Sequence, residues 1–188
     1  MPKRSIRRSM LAHRKALSPD ELVSMSLLVQ KSFLATENYR VAQSIIVYSP
    51  INYEVDTGLI VSSALVSGKK VAFPVVAGHE LIFREVTDLS SLRKGAFGIL
   101  EPGTEGKLFD FEAADILVLP GVAFDLKGHR IGYGKGYYDK TIHSLEGHGK
   151  IVGLCFDFQL VDEIIGESHD VKMDLVITDK RVVCPLVV

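Results

Sequence analysis

ILVLPG, residues Ile116 to Gly121, is an unbroken apolar run closed by a proline and a glycine. A run this short, bounded by turn residues and free of polar alternation, reads as a strand buried on both faces. Working outward, Ser44-Ile45-Ile46-Val47-Tyr48, Val71-Ala72-Phe73, Ile151-Val152-Gly153-Leu154 and Leu175-Val176-Ile177 repeat the pattern. Leu81-Ile82-Phe83 follows a turn at Ala77-Gly78-His79-Glu80. Helical signals fall between the strands. Residues 3–16 place Ile6, Met10 and Leu11 at helical spacing. Ser18-Pro19-Asp20-Glu21 is a capping box with proline at the first helical position, and Leu22, Met25, Val29 and Phe33 share a face after it. Asp56 or Thr57 caps a helix with Leu59, Ile60, Ala64 and Leu65 on its apolar side, ended by Gly68. Further helices are expected over 137–145 and 160–165, and residues 90–111 read mostly as loop. Short buried strands alternating with helices predict an α/β fold: a single-domain three-layer sandwich over residues 1–188, with a mainly parallel, doubly wound central sheet. Ligands of such sheets lie beyond the carboxyl ends of the strands. The loops after Tyr48, Leu119 and Ile177 are therefore the expected places for chemistry.

Composition narrows the function classes. The 188 residues are 47% hydrophobic, enough for one substantial core. Lys and Arg number 22 against 23 Asp and Glu, a formal net charge of -1, so neither nucleic acid nor an anionic membrane is an expected partner. The charge is uneven, however. Lys3, Arg4, Arg7, Arg8, Arg14 and Lys15 crowd the first fifteen positions. Cys155 and Cys184 form neither a metal spacing nor a disulfide framework, which fits reduced thiols and a cytoplasmic location. No apolar run approaches the roughly 18 residues of a membrane helix. Arg14, Lys15, Asp20 and Glu21 interrupt any secretory signal. A monomer is expected.

The densest signal is Arg130 to Asp139, RIGYGKGYYD. Alternating Gly132, Gly134 and Gly136 permit positive φ and let backbone N–H groups approach a ligand. A helix starting near Gly136 would turn its N-terminus to the same place. Arg130 and Lys135 add positive charge, and Asp139 offers a carboxylate for magnesium. No Ser or Thr follows Lys135, so this is not a Walker A loop, and G-x-G-x-G is not a dinucleotide fingerprint. Spacing alone leaves two readings open, an anion-binding loop and an ordinary glycine-rich turn.

Pro120-Gly121-Val122-Ala123-Phe124-Asp125 followed by RIGYGKGYYD resembles the signature of the 5-formyltetrahydrofolate cyclo-ligase family, also called methenyltetrahydrofolate synthetases. The resemblance runs over essentially the whole chain. It implies ATP binding by Lys3, Arg4, Ser5, Ile6 and Arg7, where Lys3 and Arg7 stand one helical turn apart. It implies the same for Arg130, Ile131, Gly132, Tyr133, Gly134, Lys135, Gly136, Tyr137 and Tyr138. For the folate it implies Arg7, Ser49, Glu54, Tyr133, Gly134, Lys135, Gly136 and Tyr137. Glu54 sits in an E-V-D-T run and matches the family's substrate-binding carboxylate. Asp139 and Asp170 match its magnesium ligands, whereas Asp174 reads as structural. Position 133 is Phe or Arg in some relatives, which argues against a chemical role for the Tyr133 side chain. Without the resemblance, Lys3 and Arg7 also read as a solvated basic helix end, Glu54 as a surface loop acid and Asp170 as a cap.

The implied reaction is ATP- and Mg2+-dependent cyclisation of 5-formyltetrahydrofolate to 5,10-methenyltetrahydrofolate, with release of ADP and phosphate. Lys135 and Arg130 are the expected catalytic cations, and Lys3 and Arg7 help Arg130 to anchor the triphosphate. Such chemistry is positioning and charge stabilisation and needs no enzyme nucleophile. This agrees with six histidines that stand without partners at catalytic spacing. The rival readings are a sugar-phosphate isomerase or deaminase using the glycine loop without ATP, and an RNA-binding module using the basic N-terminus.

Overall fold

The computed structural model describes residues 2–78, 80–95, 98–134, 136–142, 149–166 and 170–185, apart from the side chains of Asp139 and Ile142. The helices are α1 (Lys3–Ala16), α2 (Pro19–Leu34), α3 (Glu37–Val41), α4 (Gly58–Val66) and α5 (Tyr137–Ile142). The first seven strands are β1 (Ser44–Ile46), β2 (Lys70–Ala77), β3 (Glu80–Glu85), β4 (Leu92–Lys94), β5 (Leu100–Pro102), β6 (Leu108–Phe109) and β7 (Ile116–Leu119). The rest are β8 (Ala123–Asp125), β9 (Arg130–Ile131), β10 (Lys150–Leu154), β11 (Leu160–Val161), β12 (Leu175–Ile177) and β13 (Val182–Val183).

Eight strands form the central sheet in the order β13-β12-β10-β7-β1-β2-β3-β6. β12, β10, β7, β1 and β2 run parallel, and β13, β3 and β6 add antiparallel edges. The expected mainly parallel, doubly wound sheet is present. Alternation along each strand divides the core. Ile45, Ile116 and Val118 face Val29 and Phe33 of α2 and Ile60, Val61 and Ala64 of α4. Ile46, Leu117 and Leu119 face the other side, with Phe124 of β8 and Tyr137 and Tyr138 of α5. β11, β8 and β9 form a small separate sheet on that second side.

Local signals explain the helices. Ser18 Oγ accepts the Glu21 N–H at 3.3 Å while the Glu21 carboxylate accepts the Ser18 N–H at 2.9 Å, completing the capping box. The start of α4 is capped from outside. Asp56 accepts the Gly58 N–H at 3.0 Å, and Gln30 of α2 accepts the Leu59 N–H at 2.8 Å. Thr57 instead gives its hydroxyl to the Tyr48 carbonyl.

The helix expected over 160–165 is not formed. Leu160 and Val161 pair in parallel with Phe124 and Asp125, and the buried Asp125 carboxylate accepts the Ile164 N–H at 2.9 Å. Long-range pairing takes up backbone groups that a helix would need. Residues 143–145 of the helix expected over 137–145 lie outside the described residues. Phe124 explains two glycines of the core: a Cβ at Gly121 or at Gly153 would lie 2.4 Å from its ring. The ring therefore packs closely against the β7–β8 connection and β10.

Candidate active site

The topology selects the position. From β1 the chain crosses through α4 to β2 on one side, and from β7 it passes to β10 on the other. The order reverses between β1 and β7, which opens a crevice beyond their carboxyl ends. A cavity of about 500 Å³ lies there, lined by Tyr48 and Ser49 after β1 and by Pro120 after β7. The loop after β12 lies two strands away and does not line it. Its Thr178 bonds instead to Asp157, which also holds Arg181 through two contacts of 2.7 Å.

The glycine loop forms one wall. β8 and β9 pair as a hairpin whose turn is fixed by the fully buried Asp125, which accepts the N–H groups of Lys127 and His129 and contacts the His129 ring at 2.9 Å. That hairpin delivers Arg130 and Ile131 to the cavity, and Gly132, Tyr133, Gly134, Gly136, Tyr137 and Tyr138 follow in its lining. Gly134 and Gly136 adopt φ of +92° and +69°, a region that L side chains avoid. Gly132 does not, contrary to expectation, and a Cβ there would lie 3.2 Å from the Arg130 guanidinium. Arg130 is buried, donates to the Pro120 carbonyl at 3.1 Å and sits 5.8 Å above the Tyr138 ring. Both tyrosines of the Tyr137-Tyr138 pair thus reach the cavity. Lys135 and the Asp139 side chain lie outside the described residues.

Helix α1 forms the second wall and accounts for the N-terminal charge. Lys3 and Arg7 line the cavity. Lys3 Nζ lies 3.1 Å from Asp170 Oδ2, and Arg7 Nε donates to the Gly132 carbonyl at 2.8 Å. Arg4, Ser5 and Ile6, expected with them at the nucleotide, are not in the lining. At 100° per residue they turn away: Arg4 is exposed, and Ile6 is buried against Ala123, Ile131 and Ile164.

Opposite the loop stands Glu54, 5% exposed. It belongs to a tight turn in which the Glu54 N–H donates to the Ile51 carbonyl, with Asn52 and Tyr53 at φ of +48° and +60°. Its Oε2 accepts the Ile51 N–H at 2.9 Å and its Oε1 accepts the Tyr133 hydroxyl at 2.8 Å. Burial pushes its carboxyl up to about 7, although Ile51, Arg14 and Tyr133 all favour the charged form. Burial, reinforced by the Glu54 charge, pushes the Tyr133 phenol up to about 12. Ser49 reaches the cavity too, its hydroxyl donating to the Leu100 carbonyl at 2.5 Å.

Two contributors, Arg14 and Glu101, are not anticipated by the sequence reading, and Tyr133 takes a larger part than expected. Arg14 is 1% exposed and donates to Tyr133 Oη at 2.5 Å. Tyr133, expected at both substrates but without a chemical role for its side chain, bridges Arg14 to Glu54. Glu101, in the stretch read as loop, is buried in the cavity wall. For Arg14 a signal existed: positions 3, 7 and 14 lie within about 40° on a helical wheel, so its position predicts the same face as Lys3 and Arg7.

Among the described residues no three His, Cys, Asp or Glu side chains gather as a metal cluster. Asp170 nevertheless supplies a hard oxygen donor in the lining. That donor set fits magnesium, which takes one or two protein carboxylates and completes its shell with phosphate oxygens and water.

Residues 1–179 match the family described as the 5-formyltetrahydrofolate cyclo-ligase family. The mouse 5-formyltetrahydrofolate cyclo-ligase is 29% identical over 188 residues, covering 93% of this chain and 92% of that protein. An NMR structure of Aquifex aeolicus 5,10-methenyltetrahydrofolate synthetase superposes with a TM-score of 0.88 at 33% identity, over 98% of this chain and 93% of the other. The Mycoplasma pneumoniae 5,10-methenyltetrahydrofolate synthetase gives 0.77 at 26% identity, over 95% and 99%.

Proposed function

The chain belongs to the 5-formyltetrahydrofolate cyclo-ligase family, and from that premise we propose that the switch-point cavity closes 5-formyltetrahydrofolate to 5,10-methenyltetrahydrofolate at the expense of ATP. The observation that carries this reading is the single cavity joining the glycine loop and its cations to Glu54. Neither wall alone suffices. The loop suits any phosphate, whereas the carboxylate and the apolar surface of Pro74, Val76, Leu81 and Ile99 suit a flat ring bearing N–H donors. The sugar-phosphate alternative gains no support from the family match or from the relatives.

The chemistry divides among these residues. N10 must attack the formyl carbon on N5, and the formyl oxygen must leave. Transfer of the γ-phosphoryl group to that oxygen makes it part of phosphate, a good leaving group; ADP departs, N10 bonds to the carbon, and the N10 proton is lost. Arg130 and Lys135, with the N–H groups of residues 132–136, stabilise charge on the phosphoryl group. Lys3 and Arg7 anchor the remaining phosphates, so the Lys3–Asp170 pair opens as ATP enters. Ser49 and Glu54 hold the folate, Glu54 accepting from the pterin N–H groups. Asp170 and Asp139 would hold magnesium, which when bound neutralises phosphate charge. We read residues 1–188 as one domain acting as a cytoplasmic monomer, with ATP and the folate as its partners and neither nucleic acid nor a membrane among them. Among the described residues, no helix is long and apolar enough to cross a membrane.

The test is direct: incubate the protein with 5-formyltetrahydrofolate, magnesium and ATP and follow the methenyl chromophore. Chromophore formed only with ATP is the expected result. Folded protein that forms none, or forms it without ATP, refutes the reading.

A further inference from the structure

We infer that Arg14 and Tyr133 are positioning residues that lock Glu54 in place as a charged acceptor for the folate. The inference deepens the proposed function and rests on the reading that Glu54 meets the folate. Its basis is the direction of the hydrogen bonds. A guanidinium can only donate. Arg14 Nη2 therefore donates to Tyr133 Oη, at 2.5 Å, and Nη1 to the Gly121 carbonyl, at 3.3 Å. With its oxygen taken as an acceptor, Tyr133 has one proton to give, and that proton goes to Glu54 Oε1 at 2.8 Å. The Ile51 N–H occupies Oε2. Both oxygens of Glu54 are thus approached by donors, an arrangement that suits the ionised form and leaves it facing the cavity as an acceptor.

Burial opposes this outcome by raising the Glu54 carboxyl to about 7, so the balance stands close to neutral pH. Arg14 pulls it toward the charged form. From the end of β1 and from α5, Tyr48 and Tyr138 face Glu54 as phenols held above their ordinary value, hence neutral near pH 7. Lys3, Arg7, Arg130, Glu101 and Asp170 are further charged groups that line the same cavity. Arg14 also keeps a buried Nε with no hydrogen-bond partner among the described residues. Burying a cation with one donor unmet is unfavourable, and packing alone does not call for it.

The test titrates Glu54 itself. Protein labelled with 13C at the glutamate carboxyl carbons is followed by NMR across pH, with Glu54→Gln identifying the resonance. In Arg14→Met and in Tyr133→Phe the Glu54 midpoint should rise by about one pH unit, and in Arg14→Lys it should stay near wild type. At pH 7 the ionised fraction of Glu54 would then fall from about one half to about one eleventh, so the KM for 5-formyltetrahydrofolate should rise roughly fivefold in the first two variants, with the KM for ATP unchanged in Arg14→Met. Folded variants whose Glu54 midpoint stays where it was would overturn the inference, even if their unfolding temperatures drop. The two failures are separable. A wild-type protein that forms no methenyl product removes the proposed function, whereas an unmoved Glu54 titration removes only the roles of Arg14 and Tyr133.

Discussion

Replacing Glu54 by glutamine should exchange the sign of its effect on stability as pH rises. The Glu54 carboxyl is raised from 4.5 to about 7 because burial disfavours its charge. A raised carboxyl binds its proton more tightly in the folded chain than in the unfolded one. Its contribution to stability is therefore complete below about pH 4.5 and is lost as pH rises through about 7. At about 1.4 kcal/mol per pH unit, the loss across that window is about 3 kcal/mol. Glutamine has no proton to lose there. It does lack one acceptor, so either Tyr133 or Ile51 donates to nothing, at a cost of about 1 kcal/mol. At pH 4.5 the variant should thus be less stable than wild type by about 1 kcal/mol, and at pH 8.5 more stable by about 2 kcal/mol. Urea unfolding of both proteins across this range measures the difference directly, and other titrating groups cancel in the comparison. Stability curves that run parallel from pH 4.5 to 8.5 would show that Glu54 titrates at its ordinary value, and the physical account of the site would fall. The same variant should lose folate affinity, so the wild-type protein keeps a charge at the site that weakens its fold.

Two further outcomes follow from the geometry. Gly153→Ala places a Cβ 2.4 Å from the Phe124 ring and should destabilise the protein by about 2 kcal/mol, read as a lower unfolding temperature. Lys135→Ala should lower kcat about a hundredfold with little change in the KM for folate, whereas Glu54→Ala should chiefly raise that KM. Steady-state kinetics with both substrates separates the two, and equal losses of both parameters in both variants would contradict the division of labour.

Where local chemistry decides the structure, the sequence was legible. The buried runs at Ser44, Val71, Ile116, Ile151 and Leu175 became the five parallel strands, and Ser18 and Glu21 formed the capping box at the start of α2. Lys3, Arg7, Ser49, Glu54, Arg130 and Asp170 came together around one cavity. Long-range contacts decided what was missed. Leu160 and Val161 became a strand because β8 pairs with them, and nothing within residues 160–165 announces that partner. Arg14 looked like one more cation of a basic helix, since its burial depends on Gly121 and Tyr133, more than a hundred residues away. Tyr133 is expected at both substrates, yet the tolerance of its position for other residues in relatives says little about the hydrogen bond that a tyrosine makes there. Glu101 lies in a segment rich in Gly, Pro and charge, where no periodicity marks the one carboxylate that turns inward.

The central claim is that the cavity brings the γ-phosphorus of ATP against the formyl oxygen of the folate. Carrying 18O on that formyl group and analysing the released phosphate by mass spectrometry tests it. One labelled oxygen in phosphate for each methenyl product formed is the predicted result. Phosphate without the label, released while methenyl product accumulates, would contradict the account.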